Sequence, residues 1–600
     1  MEQLDAWAAL PWCLLPWLVA EILFVGVIAV FLAPRMNRLE PPAEYPIEGK
    51  QLMFKIFETV DWLIAQEDAD TTFESFLSGW FIGAKCSELK RGNMQVFLAW
   101  AMFAKEWSTT TASERRDIGD IVKIIEERLG RKLDPGFNPE VASIRHTLDP
   151  VVPYAHRPLA LYAVLGISRF LVRVGLYLWG FERKLAPCGT FFYWFRSAPP
   201  PSPSPSCRAL SRKAAAAGPV VLFHGVGAGL PFYVLAIWKI CRSRTSVIVE
   251  SPSIAMSLSL LRGHRPPSES QLVGSVEGIM ESHGLRSAAF FGHSFGSIQV
   301  AWMAGRKPHL VSQIMLLDPV CLLLFLPNVA RSFLFPDKTG MPLLERLMLY
   351  IVTQEKGISH TLRRHFWWYA NVMWPEDIKC PIVVGLAGMD RIVPSKPLRR
   401  YLLSYGAFGT DASSPARVNT SSGDVIIKGD GGGYSDGVSG SVASSSVEGR
   451  SRNGGTGTRY ARVAAVAAVP GGVGGGGFAM INGTSRCKVH TCNAGNKCAD
   501  SHGTAVTNGS GASRSPGPSH GDSRAPTSAN GTTRIAAKPD AYRSKAGAPA
   551  LAPAPSGVGA RRVELVYWSS AGHGNVLGDP RAFDEFVRVA TRQELAFLAN

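Results

Sequence analysis

Apolar positions fall into distinct regimes along this chain. From Ala6 to Pro34 they run almost unbroken, with Glu21 the one charged position, which supplies the roughly 20 residues that a bilayer crossing needs. Between residues 45 and 150 they recur at spacings of three and four, predicting helices over Phe54 to Ile64, Phe73 to Phe81, Asn93 to Trp107 and Glu114 to Leu129. A second apolar stretch, Pro158 to Phe181, carries Arg169 and Arg173 four apart, on one helical face. Each arginine would cost about 2.5 to 3.5 kcal/mol at a bilayer centre, so this helix is expected on the membrane surface or beside the core.

From Gly189 onward the period changes. Short apolar runs at Gly189 to Arg196, Pro219 to Phe223, Ser246 to Glu250, Ser287 to Phe291, Gln313 to Leu317, Pro381 to Ala387 and Arg562 to Trp568 read as strands. Helical patterns at Gln271 to His283, after Ser294, and at Lys396 to Tyr405 separate several of them. Such alternation predicts an α/β domain with a mostly parallel sheet covered on both faces. Residues 321–379, rich in Leu, Phe and Trp, occupy the place of a cap. Residues 406–560 are Gly, Ser, Ala and Thr-rich without periodicity, and are expected to be a disordered insertion. The chain therefore divides into an anchor at 6–34, a helical region at 45–184, a core at 189–405 and 561–600, and the insertion between the core's two parts.

Composition changes this picture little. Of 600 residues 46% are hydrophobic, ample for a core, and the net charge of +16 suits an anionic lipid surface as partner, since no nucleic-acid recognition motif is present. Ten cysteines fit a reducing compartment. Cys487, Cys492 and Cys498 with His490 have irregular spacing in low-complexity sequence, and neither a metal nor a cofactor is expected. Glu2 and Asp5 precede the anchor while Arg35 and Arg38 follow it, so the C-terminal bulk is expected on the cytosolic side. The sequons at Asn419, Asn482, Asn508 and Asn530 offer a check on that placement, because only a secretory lumen would modify them.

The chemistry starts at Gly292-His293-Ser294-Phe295-Gly296. The Gly-x-Ser-x-Gly frame also occurs around Ser435 and Ser519, but only Ser294 follows an apolar strand and precedes a helical pattern. Upstream, His224-Gly225-Val226-Gly227-Ala228-Gly229 is a flexible turn able to offer backbone N–H groups to a developing oxyanion. Downstream, Gly388-Met389-Asp390-Arg391-Ile392-Val393-Pro394 follows a strand, and Gly572-His573-Gly574 follows the last one. Together these segments resemble the α/β-hydrolase superfamily, over residues 189–600 once the insertion is set aside, in the chain order Ser, Asp, His that this fold uses. The resemblance implies a serine hydrolase with Ser294 as nucleophile, His573 as base and Asp390 as the acid that orients it. It also implies an oxyanion hole from the N–H groups of Val226 and Phe295. Asp318, which also ends a strand, is the rival acid, and His224, His283, His293 and His365 are the rival histidines. The anchor and the aromatic cap favour a lipid-like ester or thioester as substrate. Two other readings share the residues: an acyltransferase using the same triad, and a non-catalytic α/β-hydrolase-fold binding module.

Overall fold

The computed structural model describes residues 14–45, 47–66, 72–151, 157–199, 218–258, 265–336, 339–341, 343–405, 408–411 and 563–598. Its centre is one nine-stranded sheet of order β1-β2-β4-β3-β5-β6-β7-β9-β8. The strands are β1 Glu182–Leu185, β2 Phe192–Arg196, β3 Val220–Phe223, β4 Ser246–Glu250, β5 Ala288–His293, β6 Val311–Leu317, β7 Ile382–Ala387, β8 Phe408–Asp411 and β9 Val563–Trp568. β1 and β2 pair antiparallel, β2 joins β4 antiparallel, and every pairing from β4 across to β8 is parallel. The interior strands β3, β4, β5 and β7 are buried at every position, as expected of Val, Ile, Leu and Phe runs with helices on both faces. One large apolar cluster fills each side of the sheet.

Two boundaries differ from the sequence reading. The sheet begins at Glu182, not Gly189: its first strand is Glu-Arg-Lys-Leu, a mostly exposed edge whose charges conceal it from a hydrophobic count. Its last edge strand, Phe408–Asp411, lies within the stretch assigned to the insertion, so the core reaches Asp411. The rest of that stretch, with Ser435, Ser519, the cysteine cluster and the four sequons, lies outside the described residues.

Register decides where function can sit. Phe223 is level with Gly292, Leu317 with Gly385, and Ala387 with Trp568, so the turns after β3, β5, β6, β7 and β9 leave the sheet along one edge. These turns carry His224, Ser294, Asp318, Asp390 and His573. Ligands of open parallel sheets bind at that carboxyl-end edge.

The helical region forms as predicted, with Gly49–Ala65, Phe73–Trp80, Arg91–Phe103 and Ala112–Leu129. Thr111 and Glu114 make a capping box at the start of the last of these, and Gly130 ends it in the left-handed conformation. The aromatic residues of this region pack against the cap: Trp100 lies 6.5 Å from Trp368, centroid to centroid. Among the described residues two helices, Leu15–Met36 (22 residues) and Leu159–Leu178 (20 residues), are long and apolar enough to cross a membrane. They touch: the Glu21 carboxylate accepts the Leu159 N–H at 3.0 Å, and Phe24 meets Tyr162 edge-on.

The helix Leu159–Leu178 packs beside the core, one of the two alternatives its arginines allowed. Arg169 donates to the Ala255 carbonyl at 2.8 Å, and Arg173 reaches Glu250 at 2.5 Å. Glu250 is buried and also accepts from Arg183 and from the Trp194 indole, at 2.9 and 3.0 Å. Burial alone would raise its pKa, but Arg183 and Arg173 hold it below the ordinary glutamate value. Removing one member of such a cluster leaves buried charge uncompensated. Glu250→Ala is expected to lose about 3 to 5 kcal/mol of stability in chemical denaturation; a loss under about 1 kcal/mol would show that the cluster is not what docks this helix.

Candidate active site

The elbow around Ser294 is shaped by what its glycines lack. Ser294 has φ of 51°, a left-handed value that a side-chain-bearing residue adopts only where its surroundings enforce it. A Cβ on Gly296 would stand 2.4 Å from the Phe223 carbonyl oxygen, and one on Gly292 would stand 2.7 Å from the Gly296 oxygen. Neither position has room for alanine, so the frame is a packing requirement here. Ser297, which the motif leaves unspecified, ties the turn to the next strand. Its hydroxyl donates to the Ser294 carbonyl at 2.6 Å and accepts the N–H groups of Val320 and Cys321 at 3.0 and 3.3 Å.

Three of the residues singled out in the sequence meet at this turn. His573 Nε2 is 3.0 Å from Ser294 Oγ, and His573 Nδ1 is 2.6 Å from Asp390 Oδ2. The other oxygen of Asp390 accepts the N–H groups of Ile392 and Val393 at 2.7 and 2.9 Å, which fixes the carboxylate. With Nδ1–H donating to Asp390, Nε2 is the acceptor for the serine hydroxyl. Burial works to lower the His573 pKa, but the hydrogen bond and charge of Asp390, with the charge of Asp318, raise it above the ordinary imidazole value.

Asp318 is close by but engaged differently. Fully buried, with φ of 44°, it accepts the Ala387 N–H at 2.8 Å and the Gly574 N–H at 2.9 Å, one on each oxygen. It thus joins the end of β7 to the turn that carries His573. Burial first, and the neighbouring Asp390 charge, push its pKa up to about 6. Asp318, Asp390 and His573 lie close enough for their donor atoms to share one cation. Those atoms already serve one another and the backbone, so hydrogen bonding accounts for the cluster.

Val226 and Phe295 both line the cavity beside Ser294. The loop bearing Val226 is pinned on either side: the Gly225 N–H donates to the Tyr233 hydroxyl at 2.7 Å and the Gly227 N–H to the Ile254 carbonyl at 3.0 Å. The Tyr233 hydroxyl in turn lies 2.6 Å from His293 Nδ1. Of the rival histidines, His224 and His293 brace these turns, and burial lowers the pKa of both. His283 stacks on Phe195, and His365 belongs to the cap beside His360.

The cavity has a volume of about 50 Å³. Val329, Phe333, Leu362 and Phe366 from the cap form much of its wall, and Trp80 and His146 from the helical region complete it. Neither Trp80 nor His146 had a sequence signal pointing to the site, because their role arises only when the helical region closes against the cap.

A family model described as the alpha/beta hydrolase fold matches residues 262–346. Similar solved structures include a bacterial membrane phospholipase A described as a virulence factor, at 15% identity, covering 40% of this chain and 82% of that one with a TM-score of 0.27. Carboxylesterase CesB from Bacillus subtilis is similar at 13% identity, over 40% of this chain and 84% of that one, with a TM-score of 0.27. Naproxen esterase from Bacillus subtilis is similar at 14% identity, over 42% and 88%, again with a TM-score of 0.27. Among curated proteins no sequence matches.

Asp318→Asn removes one negative charge from beside His573. An anion there favours the imidazolium, and a base must be neutral to accept a proton. The acid limb of any His573-dependent activity is therefore expected to move to lower pH in Asp318→Asn, with the alkaline plateau reduced less than tenfold. An acid limb that stays in place would mean that Asp318 does not act on His573.

Proposed function

Taking the chain as an α/β-hydrolase-fold protein, we propose that it is a serine hydrolase that cleaves an acyl ester or thioester of a lipid-like substrate. The observation that carries this reading is the continuous chain from Ser294 through His573 to Asp390, at 3.0 and 2.6 Å. His573 Nε2 takes the hydroxyl proton as Ser294 Oγ bonds to the acyl carbon. Asp390 holds the imidazole in orientation and stabilises its positive charge. The carbonyl oxygen, now anionic, receives the N–H groups of Val226 and Phe295. Collapse expels the leaving group, which takes its proton from His573, and water then releases the acyl group by the reverse sequence.

A fluorophosphonate probe reads this directly. Wild-type protein is expected to label, Ser294→Ala to lose all labelling, and His573→Ala or Asp390→Ala to reduce ester turnover by roughly ten-thousandfold. Labelling that persists in Ser294→Ala, or is absent from the wild type, would remove the serine-hydrolase reading.

The same protein is proposed to sit at a membrane, with the helix near its N-terminus as anchor and its core on the cytosolic side. The helix Leu159–Leu178 supports this by facing two ways. Its arginines turn into the core, while Val164, Ile167, Phe170, Leu171 and Leu178 stand more than 60% exposed on the outside. An apolar face of this extent in water is unfavourable, and a lipid surface would cover it. The double substitution Ile167→Asp with Phe170→Asp is expected to weaken vesicle binding at least tenfold, at about 1.5 to 3 kcal/mol per side chain, without lowering thermal stability. Unchanged vesicle binding would return this face to water.

A further inference from the structure

Among the described residues neither the Val226 N–H nor the Phe295 N–H meets an acceptor, although the amides around them do. Gly225 N–H bonds to the Tyr233 hydroxyl, Gly227 N–H to the Ile254 carbonyl and Ser294 N–H to the Leu317 carbonyl. A loop can turn an unbonded N–H towards any acceptor nearby, so its direction has to be imposed. His224 imposes it on Val226. The Ser251 N–H donates to His224 Nε2 at 3.0 Å, so the imidazole proton sits on Nδ1 and is donated to the Gly225 carbonyl at 2.8 Å. That carbonyl shares a peptide with the Val226 N–H, and a planar trans peptide points the two in opposite directions. Both partners belong to one loop, however, so this bond sets where the donor points and not how far it stands from the serine.

Tyr233 supplies that second coordinate. A backbone N–H can only donate, so the Tyr233 hydroxyl accepts from Gly225 at 2.7 Å and gives its own proton to His293 Nδ1 at 2.6 Å. Gly225 precedes Val226 and His293 precedes Ser294, so one oxygen joins the residue before the donor to the residue before the nucleophile. The two turns meet with little slack: a Cβ on Gly225 would stand 3.0 Å from both the Ser294 Cβ and the Tyr233 hydroxyl oxygen. Tyr233 is itself buried, at the end of the turn Leu230–Tyr233 that leads into the helix Val234–Cys241. Burial holds the His293 pKa well below the ordinary imidazole value, which keeps Nδ1 an acceptor for the tyrosine proton.

Resting on the hydrolase reading for the reaction at Ser294, we propose that Tyr233 is a positioning residue of the oxyanion hole: by bonding Gly225 and His293 to one hydroxyl, it sets the Val226 N–H against the serine so that both act on the same acyl carbonyl.

Tyr233→Phe in the full chain keeps the ring and removes the link. With p-nitrophenyl butyrate, kcat is expected to fall roughly 10- to 100-fold while KM stays within about threefold, because a misplaced donor is felt in the transition state and not in the bound ester. A trifluoromethyl ketone, whose adduct with Ser294 carries the same anionic oxygen, should lose affinity by about the factor lost in kcat/KM. A second readout needs no chemistry. In the full chain carrying Ser294→Ala, hydrogen exchange over residues 224–229 should become about tenfold faster when Tyr233→Phe is added. A kcat within about threefold of wild type, a loss confined to KM, or an unchanged ketone affinity each overturns the proposal. So does unchanged exchange, whether or not the wild type turns over an ester. Faster exchange in a protein whose wild type turns over none would remove the hydrolase reading while upholding Tyr233 as the group that fixes Val226 against Ser294. Should Tyr233→Phe fail to fold, His293→Ala breaks the same link from the other turn and is to be read by the same split between kcat and KM.

Discussion

The site depends on a close approach of backbone to backbone. Gly296 packs against the carbonyl of Phe223 with no space for a methyl group, and Gly292 packs against Gly296 in the same way. This contact draws the elbow helix down onto β3 and forces Ser294 into its left-handed conformation. The serine hydroxyl then faces a turn that arrives from the far end of the chain. The strain is sustained because both strands are central and parallel, with backbone bonds on either side. Ser294 N–H itself bonds to the Leu317 carbonyl at 3.0 Å, which ties the strained residue to β6.

Around that contact, burial assigns different tasks to chemically similar groups. His224, His293 and His573 all lie within the same edge of the sheet. The first two have their pKa values lowered by desolvation and bond to backbone or tyrosine, whereas at His573 the neighbouring carboxylates outweigh desolvation and raise it. Asp318 and Asp390 divide in the same manner. Asp390 bonds to the imidazole, and Asp318 spends both oxygens on backbone N–H groups, one of them next to His573. Two carboxylates so near to one imidazole favour its charged form, which is the form that must appear when a serine proton is taken.

The central sheet was legible because buried strands read as apolar runs, and the candidate serine, histidine and aspartate stood out because each follows such a run. Chain order added the rest, since turns after parallel strands share an edge. What stayed hidden depends on contacts distant in sequence. The edge strand Glu182–Leu185 is charged and reads as the end of the preceding helical region, and Phe408–Asp411 is too short to stand out beside low-complexity sequence. Ser297, Tyr233, His146 and Trp80 carry no motif.

The helical region and the helix Leu159–Leu178 therefore do more than lead to the hydrolase core. One lends Trp80 and His146 to the cavity wall, and the other joins the core through Arg169 and Arg173 while leaving its apolar face outward. The second arrangement follows from one constraint, that the two arginines on one face of the helix turn their charges towards acceptors in the core. Glu250 and the Ala255 carbonyl supply them, and the remaining surface of the helix is then apolar by composition. An outward apolar surface and a firm attachment to the central sheet thus arise from the same twenty residues.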